Sequence, residues 1–429
     1  MTPSPGNETY SPAKQHFLLL QMPCGAFGRQ LDASLTAAGH SCTRIAFNGG
    51  DALNAVGRPS IWYRQSLKDW PAWVVDFARG KGITDLVCYG DCRHYHRAAI
   101  EALKPLGVRV HVLEEGYIRP NWVTCERDGV NGYSRLTSTD VSELPPNSEL
   151  PREQELKPST SRYCFSAFVY YSATFFLKPI FPRYSPHREL GLVTEAALWV
   201  RRFFAWPLRR MRFRLTDAEI ASLNKPMHMV LLQLNGDSQI KVHSDFKSVK
   251  HFVKFCIAEF SASGATDSIL VIKNHPLDNG FLPLRRVIRR HAERHGMTGR
   301  VFFVDGGKLS QMLERSISAV AVNSTSCHHA LLRGIPTLLL GRAVFNHPQI
   351  VSRMKMSEFF RLRPVKDQAD YTSFIAHMIR TCQFNGSFYT DEGRAILLPT
   401  LVNKLTGEGQ HVARDEGIRS TVRTLKQVS

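Results

Sequence analysis

Short apolar runs recur along the chain, each closed by a polar or glycine-bearing loop and followed by a stretch with helical spacing of its apolar positions. In the first half, Phe17 to Leu20, Thr43 to Phe47, Ile83 to Tyr89 and Val108 to Leu113 read as strands, with helices running to Ala38 and from Arg97 to Leu106. In the second half the strands are Met229 to Leu234, the β-branched run ending at Lys273, Val301 to Val304, Ser318 to Val322 and Thr337 to Gly341. Helices Ser248 to Ser261, Leu284 to His295, from Leu309, and His328 to Leu332 fall between them. This βαβ alternation predicts α/β architecture with parallel sheets.

Between the halves the pattern breaks. Residues 137 to 162 are rich in Pro, Ser and Glu and read as a linker. Tyr163 to Leu177 carries no charge, yet at fifteen residues it is short for a bilayer span. Arg201, Arg202, Arg209, Arg210, Arg212 and Arg214 then interleave with Phe203, Phe204, Trp206 and Phe213, a pattern suited to an anionic lipid surface. The expected organisation is an N-terminal Rossmann-like domain over 15–136 and a linker with a basic, aromatic insertion over 137–225. A C-terminal Rossmann-like domain over 226–365 and C-terminal helices and tail over 366–429 follow.

Composition narrows the partners. At 429 residues the chain exceeds one ordinary core, and 43% hydrophobic against 21% charged residues marks it as globular, with only the first dozen and last twenty positions expected to be loose. A net charge of +18 calls for an anionic partner. No nucleic-acid module accompanies that charge, which disfavours RNA or DNA. Nine scattered cysteines offer no disulfide framework, which favours a reducing compartment. Cys88 and Cys92 with His94 and His96 do not match a familiar zinc spacing, so no metal is expected there. Met1 to His16 lacks the basic start and apolar core of a signal peptide.

The chemistry gathers at strand ends, where open α/β sheets bind ligands. Val271 to Lys273 empties into Asn274-His275-Pro276, which brings a fixed cation, an imidazole and a rigid turn to a loop suited to an anion. Ser318 to Val322 ends in Asn323-Ser324-Thr325, hydroxyls at the start of a helix that serve either as a cap or as an anion cradle. Asp237 lies between small neighbours after the strand ending at Leu234, and Glu114-Glu115-Gly116 follows Leu113. Of these two acids Glu115, next to the glycine, is the general acid/base candidate. Gly25 and Gly28 lack the spacing of a dinucleotide fingerprint and read as an ordinary strand-to-helix turn.

Taken together, Asn48-Gly-Gly-Asp51, Gly90-Asp-Cys-Arg93 with Tyr95-His-Arg97, Glu114-Glu-Gly-Tyr117, Asp237-Ser-Gln239, Lys273-Asn-His-Pro276 and Asn323-Ser-Thr325 resemble, in order and spacing, the capsule polysaccharide biosynthesis/export proteins of the KpsS/LipB type. The likeness runs from about Phe17 to Gly341 with a variable middle. It implies a GT-B-like fold, two Rossmann-like parallel-sheet domains facing a cleft. The implied activity is a retaining β-Kdo transferase that uses CMP-Kdo to start a poly-Kdo linker on a (lyso)phosphatidylglycerol acceptor, peripheral on the inner face of the cytoplasmic membrane and working with other capsule synthesis and export proteins. By position, His275 and Pro276 with Lys273 match the motif holding the CMP part of the donor, and Asn323, Ser324 and Thr325 match the hydroxyl motif at its phosphate. Asp237 falls at an essential Asp proposed as nucleophile, and Glu115 at the acidic motif of the N-terminal domain. No metal is implied, because Lys273 and His275 supply the positive charge. His328-His329 stands where smaller residues are usual. The competing expectations are a non-catalytic subunit of capsule export and a GT-B transferase for another sugar.

Overall fold

The computed structural model describes residues 14–146, 150, 153–157, 160–187 and 190–407, and the side chains of all of these except 238 and 239. The expected loose ends, together with parts of the 137–162 linker, lie outside the described residues. The described chain gathers into two α/β units.

The first unit takes the described parts of Met1–Leu113, Pro158–Ser185 and Gly386–Arg414. Its strands are β1 (His16–Leu19), β2 (Ser41–Ala46), β3 (Ile61–Trp62), β4 (Asp85–Tyr89) and β5 (Arg109–Glu115). They pair in parallel in the order β5-β4-β1-β2-β3. The chain builds from β1 toward β3 and then returns to the other side of β1 with β4, so the winding direction reverses between β1 and β4.

The second unit takes the described parts of Glu114–Lys157 and Pro186–Asn385. An antiparallel pair joins β6 (Trp122–Arg127) to the later β12 (Gln383–Asn385). Its parallel sheet contains β7 (Met227–Leu231), β8 (Ile269–Lys273), β9 (Val301–Val304), β10 (Ser316–Ala321) and β11 (Thr337–Leu339), in the order β11-β10-β7-β8-β9. Here the winding reverses between β7 and β10. Met229, Leu231, Val271, Val304 and Ala319 face one buried cluster, while Val230, Leu270, Ile272, Phe303 and Val320 face another. Helices bury both faces, which is why these strands read as continuous apolar runs rather than alternating ones.

The units do not follow the expected sequential boundaries. The helix Thr160–Phe176, assigned by sequence to the middle insertion, packs into the first unit, as does the C-terminal helix Asp391–Thr406. The first docking explains the double glycine of Asn48-Gly-Gly-Asp51. A Cβ on Gly49 would stand 2.3 Å from the Ala173 carbonyl oxygen and one on Gly50 2.5 Å from the Tyr170 ring, so only glycine admits that helix. The Tyr170 hydroxyl then donates to Asp51 Oδ1 at 2.8 Å. The C-terminal segment is held by Phe388 against Phe27, ring centroids 4.7 Å apart, and by Arg394 Nε donating to Gln30 Oε1 at 2.6 Å. Glu114 and Glu115, the last residues of β5, go the other way and belong to the second unit. Among the described residues no helix is long and apolar enough to cross a membrane.

Candidate functional site

A cavity opens in the second unit at the carboxyl ends of β7 and β10, where the winding reverses. Asp237 reaches it from the loop after β7, His275 from the loop after β8, and Asn323, Ser324 and Thr325 from the loop after β10. Glu114 and Glu115 complete it, together with Tyr117, Arg119 and Asn131. The acidic pair therefore shares one unit with Asp237 and the hydroxyl motif, where the sequence placed it on a separate N-terminal domain.

The glycine after the acids serves the backbone. A Cβ on Gly116 would sit 2.3 Å from the Trp122 carbonyl oxygen, and Gly116 N–H donates to that oxygen at 3.0 Å. Glycine here permits the close return of β6 rather than the approach of a ligand. That return fixes the cavity floor: the Tyr117 hydroxyl donates to Glu126 Oε1 at 2.6 Å and accepts from Asn131 N–H at 2.6 Å. Ser134 Oγ donates to the other Glu126 oxygen at 2.5 Å. Burial, with Glu126 beside it, raises the Tyr117 hydroxyl well above its ordinary range, so it stays protonated and keeps donating.

The Lys273-Asn-His-Pro276 loop divides its labour. Lys273 is buried, and its Nζ donates to the carbonyls of Gly306 at 2.7 Å and Gly307 at 3.2 Å. It braces the loop after β9 and does not line the cavity; Pro276 is exposed and also lies outside the lining. His275 does line it. Leu277 N–H donates to His275 Nδ1 at 3.1 Å, so Nδ1 is an acceptor and the neutral ring carries its hydrogen on Nε2. Burial, helped by the positive charges of Arg119 and Lys273, pushes the imidazole down to about 4. His275 is thus a neutral donor near pH 7, and the positive charge at the cavity wall belongs to Arg119.

Buried Asn274 links this loop to its surroundings, its Nδ2 donating to Asp278 Oδ2 at 3.0 Å and Asp305 Oδ1 at 3.2 Å. Asp305 also receives Arg209 at 2.8 and 2.9 Å and Arg202 Nη2 at 3.2 Å. Burial raises the Asp305 carboxyl, but the two guanidiniums outweigh it and hold the group below its usual range. Arg202 and Arg209 come from the helices Leu192–Phe204 and Trp206–Leu223. Two of the six arginines read as lipid-facing are therefore turned inward, and Phe213 packs against Gly306 and Gly307. The outward face keeps Arg210, stacked 5.4 Å over the Trp206 ring, with Arg212 and Arg214 and the exposed Phe203, Phe204, Met211 and Leu215.

At the β10 end, Ser324 Oγ accepts from Ser326 N–H at 3.3 Å, an ordinary turn contact, and the helix that follows spans only Cys327–Leu331. So short a helix has little dipole to offer, and the cradle rests on side-chain hydroxyls and loop amides. Gln233, two residues past β7, accepts from Asn323 N–H at 3.2 Å and ties the two strand ends together. His328 also lines the cavity, its Nδ1 2.5 Å from the buried Tyr371 hydroxyl and its pKa pushed by burial down to about 3. Sequence reading passed over Gln233, Arg119 and Asn131 because nothing in one chain marks an isolated polar residue in a loop. The His328-His329 pair was visible, but as an irregularity.

Buried neutral histidines should make the protein lose stability in acid. His96 and His228, like His328, are pushed by burial to about 3, and His275 to about 4, against 6.5 for an ordinary imidazole. The unfolded chain therefore binds protons below pH 6.5 that the folded chain refuses, and stability present above 6.5 is lost progressively as pH falls toward 3. Urea midpoints should be level from pH 8 to 7 and decline steadily from 6.5 to 4. A flat profile between pH 7 and 5 would contradict the buried neutral state.

Two parallel-sheet α/β units, with a polar cavity at the strand ends of one, define a GT-B-like protein. Residues 84–389 match the model of the capsule polysaccharide biosynthesis protein family, and the chain belongs to that family. It is 30% identical over 379 residues, 87% of this chain and 96% of the relative, to the capsule polysaccharide export protein KpsS of Escherichia coli. To the capsule polysaccharide modification protein LipB of Neisseria meningitidis serogroup B it is 28% identical over 389 residues, 88% of this chain and 92% of the relative. Among solved structures, the β-Kdo 2,7 transferase KpsC of Thermosulfurimonas dismutans aligns at 13% identity with a TM-score of 0.44, covering 92% of this chain and 99% of that one.

Proposed function

We propose that the chain is a retaining glycosyltransferase of capsule biosynthesis that moves β-Kdo from CMP-Kdo to a (lyso)phosphatidylglycerol acceptor and so starts a poly-Kdo linker. The observation that carries this reading is the meeting of Asp237, the Glu114/Glu115 pair, His275 and the hydroxyls of Ser324 and Thr325 in one cavity at the β7/β10 reversal. Retention by two displacements needs one carboxylate to attack and another to take a proton. Asp237 forms a bond to the anomeric carbon as the bond to the CMP oxygen breaks, and CMP departs with the electron pair. The acceptor hydroxyl oxygen then attacks the same carbon, Asp237 leaves as carboxylate, and Glu115 takes the hydroxyl proton.

The leaving phosphate is served by neutral donors, His275 Nε2–H and the Ser324 and Thr325 hydroxyls, with Arg119 supplying charge. The reading assigns no step to a metal ion. Lys273 acts at one remove, holding the β9 loop on which Asn274 and Asp305 depend. The outward face of the Leu192–Phe204 and Trp206–Leu223 helices, with exposed rings and arginines, is the surface we assign to the anionic inner face of the cytoplasmic membrane, alongside other capsule synthesis and export proteins.

Calorimetry of the full chain with CMP and UDP, paired with transfer assays from CMP-Kdo, tests the reading. CMP should bind at least tenfold more tightly than UDP, a gap of about 1.4 kcal/mol. Tighter UDP binding would move the chain to another donor, and CMP binding without transfer to any phosphatidylglycerol acceptor would return it to a non-catalytic export role.

A further inference from the structure

One motif has no part in the cavity of the second unit. Gly90-Asp-Cys-Arg93 lies at the end of β4, and β4 adjoins β1 where the winding of the first unit reverses. The loops after β1 and β4 therefore flank the place where an open parallel sheet takes a ligand. Arg93 stands there, half-buried, at the start of the helix His94–Leu103. Its guanidinium carbon is 5.0 Å from the centre of the Tyr89 ring, within electrostatic reach of Tyr170, Tyr171 and Cys24.

Among the described residues, no group accepts a hydrogen bond from the Arg93 guanidinium and no carboxylate pairs with it. Elsewhere in the chain Arg58 pairs with Asp32, Arg109 with Asp85, and Arg202 and Arg209 with Asp305, while the buried Arg44 donates to the Asn54 carbonyl. Asp51 feels the Arg93 charge, but its oxygens are already taken. Tyr170 donates to Oδ1 at 2.8 Å, while Gln21 Nε2 and Phe47 N–H donate to Oδ2 at 3.0 Å each. Asn48 Nδ2 in turn donates to the Tyr170 hydroxyl at 2.9 Å, so the shell beside Arg93 is a fixed network. A cation without an acceptor, set in a rigid polar wall at a sheet reversal, is built for an anion brought from outside.

We propose that Arg93 anchors a second ligand site, in the first unit, that takes a phosphate group. The planar guanidinium presents a fork matched to two phosphate oxygens. The helix that supplies Tyr170 and Tyr171 also exposes Phe168 and Phe175, which suits a phosphate carried on an amphiphile. The site thus rests on, and deepens, the reading in which the acceptor is an anionic phospholipid.

The test titrates the full chain, saturated with CMP, with inorganic phosphate and with glycerophosphoglycerol, a headgroup without acyl chains. It does so for the native protein, Arg93→Gln and Arg93→Lys, with circular dichroism melting of each. The native chain should bind at least one probe, Arg93→Gln should bind it about tenfold more weakly or worse, and Arg93→Lys should fall between. Preference for glycerophosphoglycerol identifies a lipid headgroup, and equal binding a free phosphate. Native protein that binds neither probe, or a folded Arg93→Gln that binds like native, overturns the site. Should Arg93→Gln melt early, Arg93→Lys decides, since undiminished binding there removes the guanidinium fork from the argument. The result is separable from the donor reading: failure of Kdo transfer with Arg93-dependent phosphate binding intact leaves this site standing.

Discussion

Replacing Asp237 by Ala should reduce Kdo transfer from CMP-Kdo by on the order of 10^3 to 10^4, while leaving CMP affinity within a few-fold of native. Asp237 approaches the cavity from the loop after β7, whereas the nucleotide is assigned to His275, Ser324 and Thr325 on two other strand ends. Bond making and donor holding are thus carried by different loops, and removing the carboxylate should separate them. Glu115→Gln offers a graded companion, because a base that only receives the acceptor proton contributes roughly 10^2 to 10^4. The measurement is single-turnover transfer with calorimetric CMP binding on the same preparations. An Asp237→Ala protein that folds, binds CMP and transfers at a native rate excludes Asp237 from the mechanism.

The second large effect is on stability. Asp305→Ala should cost about 3–5 kcal/mol in urea unfolding, because Arg202 and Arg209 both converge on that carboxylate and its loss leaves Arg202 only the longer contact to Asp278 at 3.9 Å. Arg202 retains only 8% side-chain exposure and has little water to turn to. Asn274 loses one of its two carboxylate contacts at the same time, so CMP affinity should fall with stability as the His275 loop loosens. Asp305→Asn keeps the shape but not the charge and should lie between. A loss below 1 kcal/mol for Asp305→Ala would show that the arginines find water or another acceptor. The Asp305 contribution has its own acid limb. Its depressed carboxyl gives stability that is complete above the ordinary Asp range and lost as pH falls through the lower folded value, at the acid end of the window set by the histidines.

The arginines illustrate why composition and structure can part company. Six Arg among aromatics look alike in sequence, yet they are divided between two helices, and which of them meets a carboxylate depends on what packs beside each. Arg202 and Arg209 turn toward Asp305, while Arg210, Arg212 and Arg214 stay outward with Trp206, Met211 and Leu215. The loop of Lys273 shows the same in miniature. A lysine at a strand end reads as an anion ligand, but alternation along β8 and the nearby carbonyls of Gly306 and Gly307 make it a brace.

The sequence by itself determined the α/β class, the positions of the parallel strands, and the strand-end loops that hold Asp237, His275 and Ser324, because fully buried strands must be apolar and the loops after them must turn polar. It also marked Asn48-Gly-Gly-Asp51 and Gly90-Asp-Cys-Arg93 as motifs, without a reason for either. Only the tertiary structure decided which unit each segment joins, since long-range packing of the helices Thr160–Phe176 and Asp391–Thr406 leaves no local signature. It alone explained the double glycine by the helix that lies on it, fixed His275 as a neutral Nε2–H donor, and set Arg93 apart from the paired arginines. Each of these depends on which partner is close in space, and a linear pattern of polar and apolar residues carries distance only along the chain.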